Sequence, residues 1–221
     1  MTLPNRVRKQ LPKDPWWHIF GLSSGLLFAV MLMFARLDPD DFERLDRWFE
    51  NAVQPLQTFG HIELFLAITV LGGTVGITAV ALGAAYFLRH NRFAQVQLFL
   101  ILLFSSLSMG IAKAFVERAR PDVLLWLDPM NSYSFPSGHA TLSTALYGFI
   151  AVQLYRRSMS TLTRYLSILV PACVILLVSW SRIILNYHYF TDVTAGILLG
   201  LFWLAVIFML PKPRAGLLAH R

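Results

Sequence analysis

Long apolar runs limit most sharply what a chain can fold into, and this one has six, at roughly 17–35, 62–88, 95–115, 139–155, 165–184 and 190–210. A helix of about 20 mainly apolar residues crosses a hydrocarbon core. Of the 221 residues, 56% are hydrophobic and 14% charged, too few charges to solvate the surface of an ordinary soluble domain. The expectation is an all-α polytopic membrane protein with six transmembrane helices, folded as a single membrane-embedded domain over 1–221. The first run, WWHIFGLSSGLLFAVMLMFA, has no small-residue cleavage site and reads as a retained helix rather than a signal peptide. Cys173 is the only cysteine, which excludes an intrachain disulfide and a cysteine-rich metal site.

A net charge of +7 would suit nucleic acid, but the basic residues are scattered among the loops, where they report topology instead. The N-terminal tail, Arg89 and Arg92, Arg156, Arg157 and Arg164, and the C-terminal tail hold twelve of the 19. The other side holds Arg36, Arg44, Arg47, Lys113, Arg118, Arg120 and Arg182. The positive-inside rule then puts both termini in the cytoplasm and the loops after helices 1, 3 and 5 outside.

The first outward segment, RLDPDDFERLDRWFENAVQPLQTFGHIE, places Phe42, Leu45, Phe49, Ala52 and Val53 on one helical face and charges on the other. It predicts a short interfacial helix, started by Asp41 and limited by Pro55. LGGTVGITAVALGAA, in the second run, is assigned to close helix packing through its small residues. The long outward loop ends in DPMNSYSFPSGHATLS, where a small, apolar helical pattern resumes at Ala140.

Three polar clusters fall on the outward side: KAFVERARP at 113–121, FPSGHAT at 135–141 and SRIILNYHYFTD at 181–192. Lys113 and Arg120 are seven residues apart, on one side of a helix, where they can clamp an anion together or act as interfacial cations. Glu117 is spaced to pair with Lys113, and Arg118 points elsewhere. Ser137, Gly138 and His139 stand at a helix N-terminus, whose free N–H groups and dipole favour an anion, with Ser137 either adding a donor or serving as a plain cap. His188 and Asp192 have i,i+4 spacing, so Asp192 can accept from one ring nitrogen and leave the other as nucleophile or base. Arg182 adds a fork suited to phosphate oxygens.

Three cations, a helix N-terminus, two histidines and one carboxylate fit phosphoryl transfer without a metal or other cofactor: the cations hold the oxygens, one histidine attacks and the other protonates the leaving oxygen. Lys113, Arg120 and Pro121, then Pro136–Ser137–Gly138–His139, then Ser181, Arg182, His188 and Asp192 resemble the complete three-part signature of the type 2 phosphatidic acid phosphatase superfamily. The resemblance covers about 60–210. It implies His188 as nucleophile, Asp192 as its orienting partner and His139 as general acid, with Lys113, Arg120, Ser137, Gly138 and Arg182 binding phosphate.

The expected function is hydrolysis of a lipid phosphomonoester or diphosphate at the outer face of a bacterial inner (plasma) membrane, through a phosphohistidine. Alternatives are transfer of that phosphoryl group to another lipid, and non-catalytic phospholipid binding or transport. Phosphatidylglycerophosphate, phosphatidic acid, undecaprenyl diphosphate and lipid A-type phosphates would each present a phosphate to the same cluster. The partners expected are this lipid substrate and membrane lipids, with no nucleic acid and no obligate protein partner. Trp126, Met130, Tyr133 and Phe135 are placed either at a lipid entrance or in an interfacial aromatic belt.

Overall fold

The computed structural model describes residues 15–121 and 132–211, and among them there are helices and turns but no strand. Trp126, Met130 and the terminal basic residues lie outside the described residues. Eight α-helices follow in order: α1 (Pro15–Leu37), α2 (Pro39–Val53), α3 (Phe59–Thr69), α4 (Thr74–Phe87), α5 (Arg92–Val116), α6 (Gly138–Arg157), α7 (Thr161–Ile184) and α8 (Phe190–Met209). Helix satisfies each backbone group within its own segment, as a hydrocarbon environment requires. Among the described residues α1, α5, α7 and α8 are each long and apolar enough to cross a membrane, with mean hydropathies of 1.9, 2.0, 2.0 and 2.1. Large apolar side chains such as Leu22, Leu26, Phe99, Ile111, Leu169 and Leu176 stand exposed on α1, α5 and α7, the surface expected where lipid rather than water is the solvent.

Two expectations are revised. The run 62–88 is not one helix: α3 ends at Thr69, a 3₁₀ turn occupies Val70–Gly72, and α4 restarts after Gly73 in extended backbone (φ −76°, ψ 169°). Consecutive glycines leave the backbone free to break there. The helix after α1 begins at Pro39, with Asp38 rather than Asp41 in the cap position and no side-chain capping bond. Pro55 falls in a 3₁₀ turn that ends it, as expected. Its buried face also differs: Phe42 and Phe49 are partly covered and Val53 and Asp46 are buried, while Leu45 and Ala52 are exposed. That face runs 42, 46, 49, 53, one side of a helix, and it includes a charged residue.

α8 is central, packing against α1, α5 and α6. Trp17 and Phe149 both stack on Phe208, with ring centroids 5.1 and 5.7 Å away, and Phe104 stacks on Trp203 at 5.0 Å. Polar ties fix the register: Gln97 Nε2 donates to the Ile207 carbonyl at 3.0 Å, Trp203 Nε1 to Ser108 Oγ at 2.8 Å, and Tyr147 Oη to the Leu71 carbonyl at 2.9 Å. Small residues let α6 and α8 approach closely. A β-carbon at Gly196 would lie 2.6 Å from the Ser137 carbonyl oxygen and 3.0 Å from Ala140 Cβ.

α6 carries less apolar side-chain mass than its neighbours, because Ser143, Thr141 and Thr144 are turned into the protein, where all are buried. The two ends of the bundle differ in chemistry. At one, Arg156 lies over Phe208 and Arg157 over Phe87, at 4.7 and 4.8 Å. The other gathers the end of α5, the start of α6, and the junction of α7 with α8.

Gly196→Val should lower the melting temperature of the purified protein, by an amount corresponding to about 1–3 kcal/mol of overpacking, and displace the α6 N-terminus. Gly83→Ala, with nothing within 4 Å of the added carbon, should leave the melting temperature unchanged or slightly higher.

Candidate active site

α5 is stopped by Glu117, whose left-handed backbone (φ 54°) turns residues 118–121 across the end of the bundle. Lys113, on the last turn, directs Nζ at the carbonyls of Tyr133 and Ser134. Arg120 Nε donates to the Ser132 carbonyl at 2.7 Å and its Nη2 to Ser132 Oγ at 2.9 Å. Its Nη1 donates to the Tyr187 carbonyl at 2.7 Å and lies 3.1 Å from His188 Nε2. Arg182, buried on the last turn of α7, donates to Thr69 Oγ1 at 2.8 Å and lies over the Tyr187 ring at 4.4 Å.

A turn through Asn186, in left-handed backbone (φ 55°), then carries the chain to His188 and into α8. Lys113 lies within electrostatic reach of Arg120, Arg182 and Asp192, and His139 within reach of Arg182, His188 and Arg120. Every cation and histidine singled out in the sequence is thus in one place.

Ser137 is the N-cap residue of α6, but its hydroxyl makes no capping bond; it is completely buried and has no hydrogen-bond partner in the protein. Plain capping is therefore excluded. A buried hydroxyl without a partner is costly, and here it stands beside the free first-turn N–H groups of a helix. Gly138 sits against Met109, where a β-carbon would come 2.9 Å from Sδ. His139 follows, half-buried. Beside it pass Gly72 and Gly73, where an added β-carbon would meet the ring at 3.2 Å (Cδ2) and 3.5 Å (Nε2). The stretch assigned only to helix packing therefore also makes room for His139.

His188 and Asp192 are both buried. Nδ1 of His188 lies 3.6 Å from Asp192 Oδ2, too long for a good hydrogen bond. Ser134 fills the gap: its hydroxyl donates to Asp192 Oδ2, and His188 Nδ1 lies 3.3 Å from Ser134 Oγ. Asp192 Oδ2 also accepts the Tyr189 N–H at 3.0 Å, while Oδ1 accepts Arg118 Nη1 at 2.7 Å. Arg118 binds Asp46 on α2 as well, at 2.6 Å.

The expectation for 117–118 is therefore corrected. Glu117 accepts from Tyr133 Oη at 3.1 Å rather than from Lys113, and Arg118 points into the site's support. Ser134, Arg118 and Asp46 were not singled out from sequence, although Ser134 stands two residues before the Pro-Ser-Gly-His run and Arg118 two before Arg120.

Burial pushes the His188 imidazole down to about 3; Asp192 opposes this, and Arg120 and Arg182 add to it. The ring is therefore neutral. Arg120 can only donate, so the hydrogen-bond network assigns the lone pair to Nε2 and the proton to Nδ1, on the side of Ser134 and Asp192. For Arg118, burial disfavours the charge, but Asp192 and Asp46 outweigh it and hold the guanidinium above its ordinary value. Lys113, Arg120, Arg182 and the Ser137 hydroxyl can each donate, and His188 Nε2, beside Arg120, can accept. Donors of this kind are the chemistry that an oxyanion would need.

The family model described as the PAP2 superfamily matches residues 94–215. Phosphatidylglycerophosphatase B of Bacillus subtilis (strain 168) is 29% identical over 181 residues, 80% of this chain and 88% of that protein. Lipid A 1-phosphatases of Rhizobium johnstonii and Rhizobium etli are each 30% identical over 130 residues, 55% of this chain and 49% and 51% of theirs. The fold is similar to the crystal structure of a transmembrane PAP2 type phosphatidylglycerolphosphate phosphatase from Bacillus subtilis, with a TM-score of 0.74 at 24% identity, covering 85% of this chain and 94% of that one.

Ser137→Ala should leave the melting temperature nearly unchanged, because the hydroxyl makes no bond within the protein. It should weaken binding of inorganic phosphate or vanadate by about tenfold or more, the loss of one hydrogen bond to a charged group, read by ligand-induced thermal shift.

Proposed function

Because the chain belongs to the PAP2 superfamily, we propose that it is an integral membrane lipid phosphatase, hydrolysing a phosphomonoester or diphosphate of a lipid at the outer membrane face. The observation that carries this reading is the neutral His188, with Nε2 directed at Arg120 and Nδ1 backed by Ser134 and Asp192. When a phosphate enters, Arg120 turns its donors to the phosphate oxygens and frees the Nε2 lone pair. Lys113, Arg182, Ser137 Oγ and the first N–H groups of α6 at Gly138 and His139 hold the remaining oxygens. Phosphoryl transfer asks mainly for such positioning and charge stabilisation.

In the first step His139 enters as the imidazolium, a form the negative charge of the bound phosphate favours; His188 Nε2 bonds to phosphorus, the bond from phosphorus to the lipid oxygen breaks, and His139 gives that oxygen its proton. Asp192 balances the positive charge on the phosphorylated ring. His139 then takes a proton from water, whose oxygen attacks phosphorus and breaks the P–N bond, releasing inorganic phosphate and neutral His188. Each atom and charge is accounted for without a metal ion.

The single domain crosses the membrane six times, through α1, α3 with α4, α5, α6, α7 and α8, with α2 lying in the interface. Both termini are cytoplasmic, and the site faces the exterior of a bacterial inner membrane. The substrate favoured is phosphatidylglycerophosphate, since the relative named for that activity matches over most of both chains.

His188→Ala should lower phosphate release from a short-chain lipid phosphate in detergent by at least about 10³-fold. Rapid quenching should trap an acid-labile, base-stable phosphoenzyme in the wild type but not in the variant, and wild-type activity should survive EDTA. A cysteine at position 132 in a Cys173→Ser background should react with a membrane-impermeant thiol reagent in intact spheroplasts; reaction only after lysis would reverse the orientation.

A further inference from the structure

Asp46 is a buried carboxylate on a helix whose neighbouring charges are exposed. Only 2% of its surface remains accessible, whereas Glu43, Arg47 and Glu50 on the same helix are exposed. Burying a carboxylate is expensive unless its oxygens are hydrogen-bonded, and here both are, by three donors in all. Oδ2 accepts Arg118 Nη2 at 2.6 Å and Thr191 Oγ1 at 2.7 Å, while Oδ1 accepts the Thr191 N–H at 2.9 Å. The last bond closes a free first-turn N–H of α8, the helix that carries Asp192. Around it, Phe49 stacks on Phe190 at 3.6 Å, and the Arg118 guanidinium lies over the rings of Tyr189 and Phe42 at 4.2 and 5.9 Å.

We propose that Asp46 is a positioning residue of the phosphatase site, acting through Arg118 and Thr191 to hold Asp192, and through Asp192 and Ser134 the attacking His188. The inference rests on the catalytic reading given above. Charge bears on it as well as geometry. Arg118 and Asp192 alone would form a closed, neutral pair with nothing left to offset a positive ring. Burial raises the Asp46 carboxyl, and the bonds from Arg118 and Thr191 oppose this; with the carboxylate ionised the trio carries one net negative charge, which matches the single positive charge formed when His188 Nε2 bonds to phosphorus. α2 thereby becomes part of the catalytic apparatus, and its seating against α8 is a condition for attack.

The test is a single-turnover measurement with the full-length protein in detergent and a radiolabelled short-chain lipid phosphate. The amplitude of phosphoenzyme formation reports the folded fraction, and the rate constant reports the chemistry. Asp46→Asn should lower the rate constant by about tenfold to a hundredfold, with KM within about twofold and the amplitude retained. Glu50→Gln, on the same helix but outside this network, should leave both unchanged.

If Asp46→Asn lowers only the amplitude and the melting temperature while the rate constant stays at the wild-type value, Asp46 is a structural anchor and the proposal is overturned. Should Asp46→Asn fail to accumulate, Thr191→Ala removes one hydroxyl from the same network and should lower the rate constant by about threefold to tenfold; an unchanged rate constant overturns the proposal equally. His188→Ala, run alongside, separates the two readings: if it keeps the wild-type rate the catalytic reading itself fails. An inactive His188→Ala beside a fully active Asp46→Asn removes only the role given to Asp46.

Discussion

The arrangement of the site depends on one buried ion pair, Arg118 with Asp192, extended by Asp46 into a trio. Charges removed from water at this depth are stable only when their hydrogen-bonding capacity is nearly filled, because desolvation otherwise exceeds the attraction. Asp192 meets that condition with Arg118, Ser134 and the Tyr189 N–H, and Asp46 meets it with Arg118 and both polar groups of Thr191. Four pieces of chain are joined by these bonds: α2, the segment after α5, the segment before α6 and the start of α8. None can move far without stranding a buried charge.

Around that anchor the fold divides its labour. α8 is closely packed through glycines at 196 and 200 against α6, so that the turn bearing Ser137 and the turn bearing Asp192 touch; the Ser137 N–H donates to the Asp192 carbonyl at 2.9 Å. The lipid-facing helices need only apolar exteriors, whereas polar groups are concentrated where several elements can satisfy them. Ser137 departs from this, as do the buried hydroxyls of Ser105, Ser143, Thr144 and Ser179, and among these it is the one that stands at the N-terminus of a helix.

Much of this was legible in the linear chain. Apolar runs announce helices, because both length and hydropathy are local properties. Lys113, Arg120, Ser137, Gly138, His139, Arg182, His188 and Asp192 were recognisable because fixed spacings put the chemistry of an oxyanion site into three short clusters, and the structure brings the three clusters together. Arg118 was misread from the same stretch: helical spacing turns it away from Lys113, but α5 ends at Glu117 and the spacing rule ends with it. Glu117 failed as a partner for Lys113 for that reason too. On α2 the pattern suggested Leu45 and Ala52 as the buried side, yet Asp46 took that place, since a carboxylate with three donors waiting can be buried more favourably than a hydrophobicity count allows.

By itself the sequence determined the helical class, which residue types are available for chemistry and which of them travel together, because these depend on neighbours within a few residues. Tertiary structure alone decided that Ser134 stands between His188 and Asp192, that the glycines at 72 and 73 open space beside His139, and that a residue of α2 reaches Asp192 through Arg118. Those relations join positions as far apart as 46 and 192. Which buried donor meets which acceptor follows from how helices pack, and no spacing rule extends over that distance.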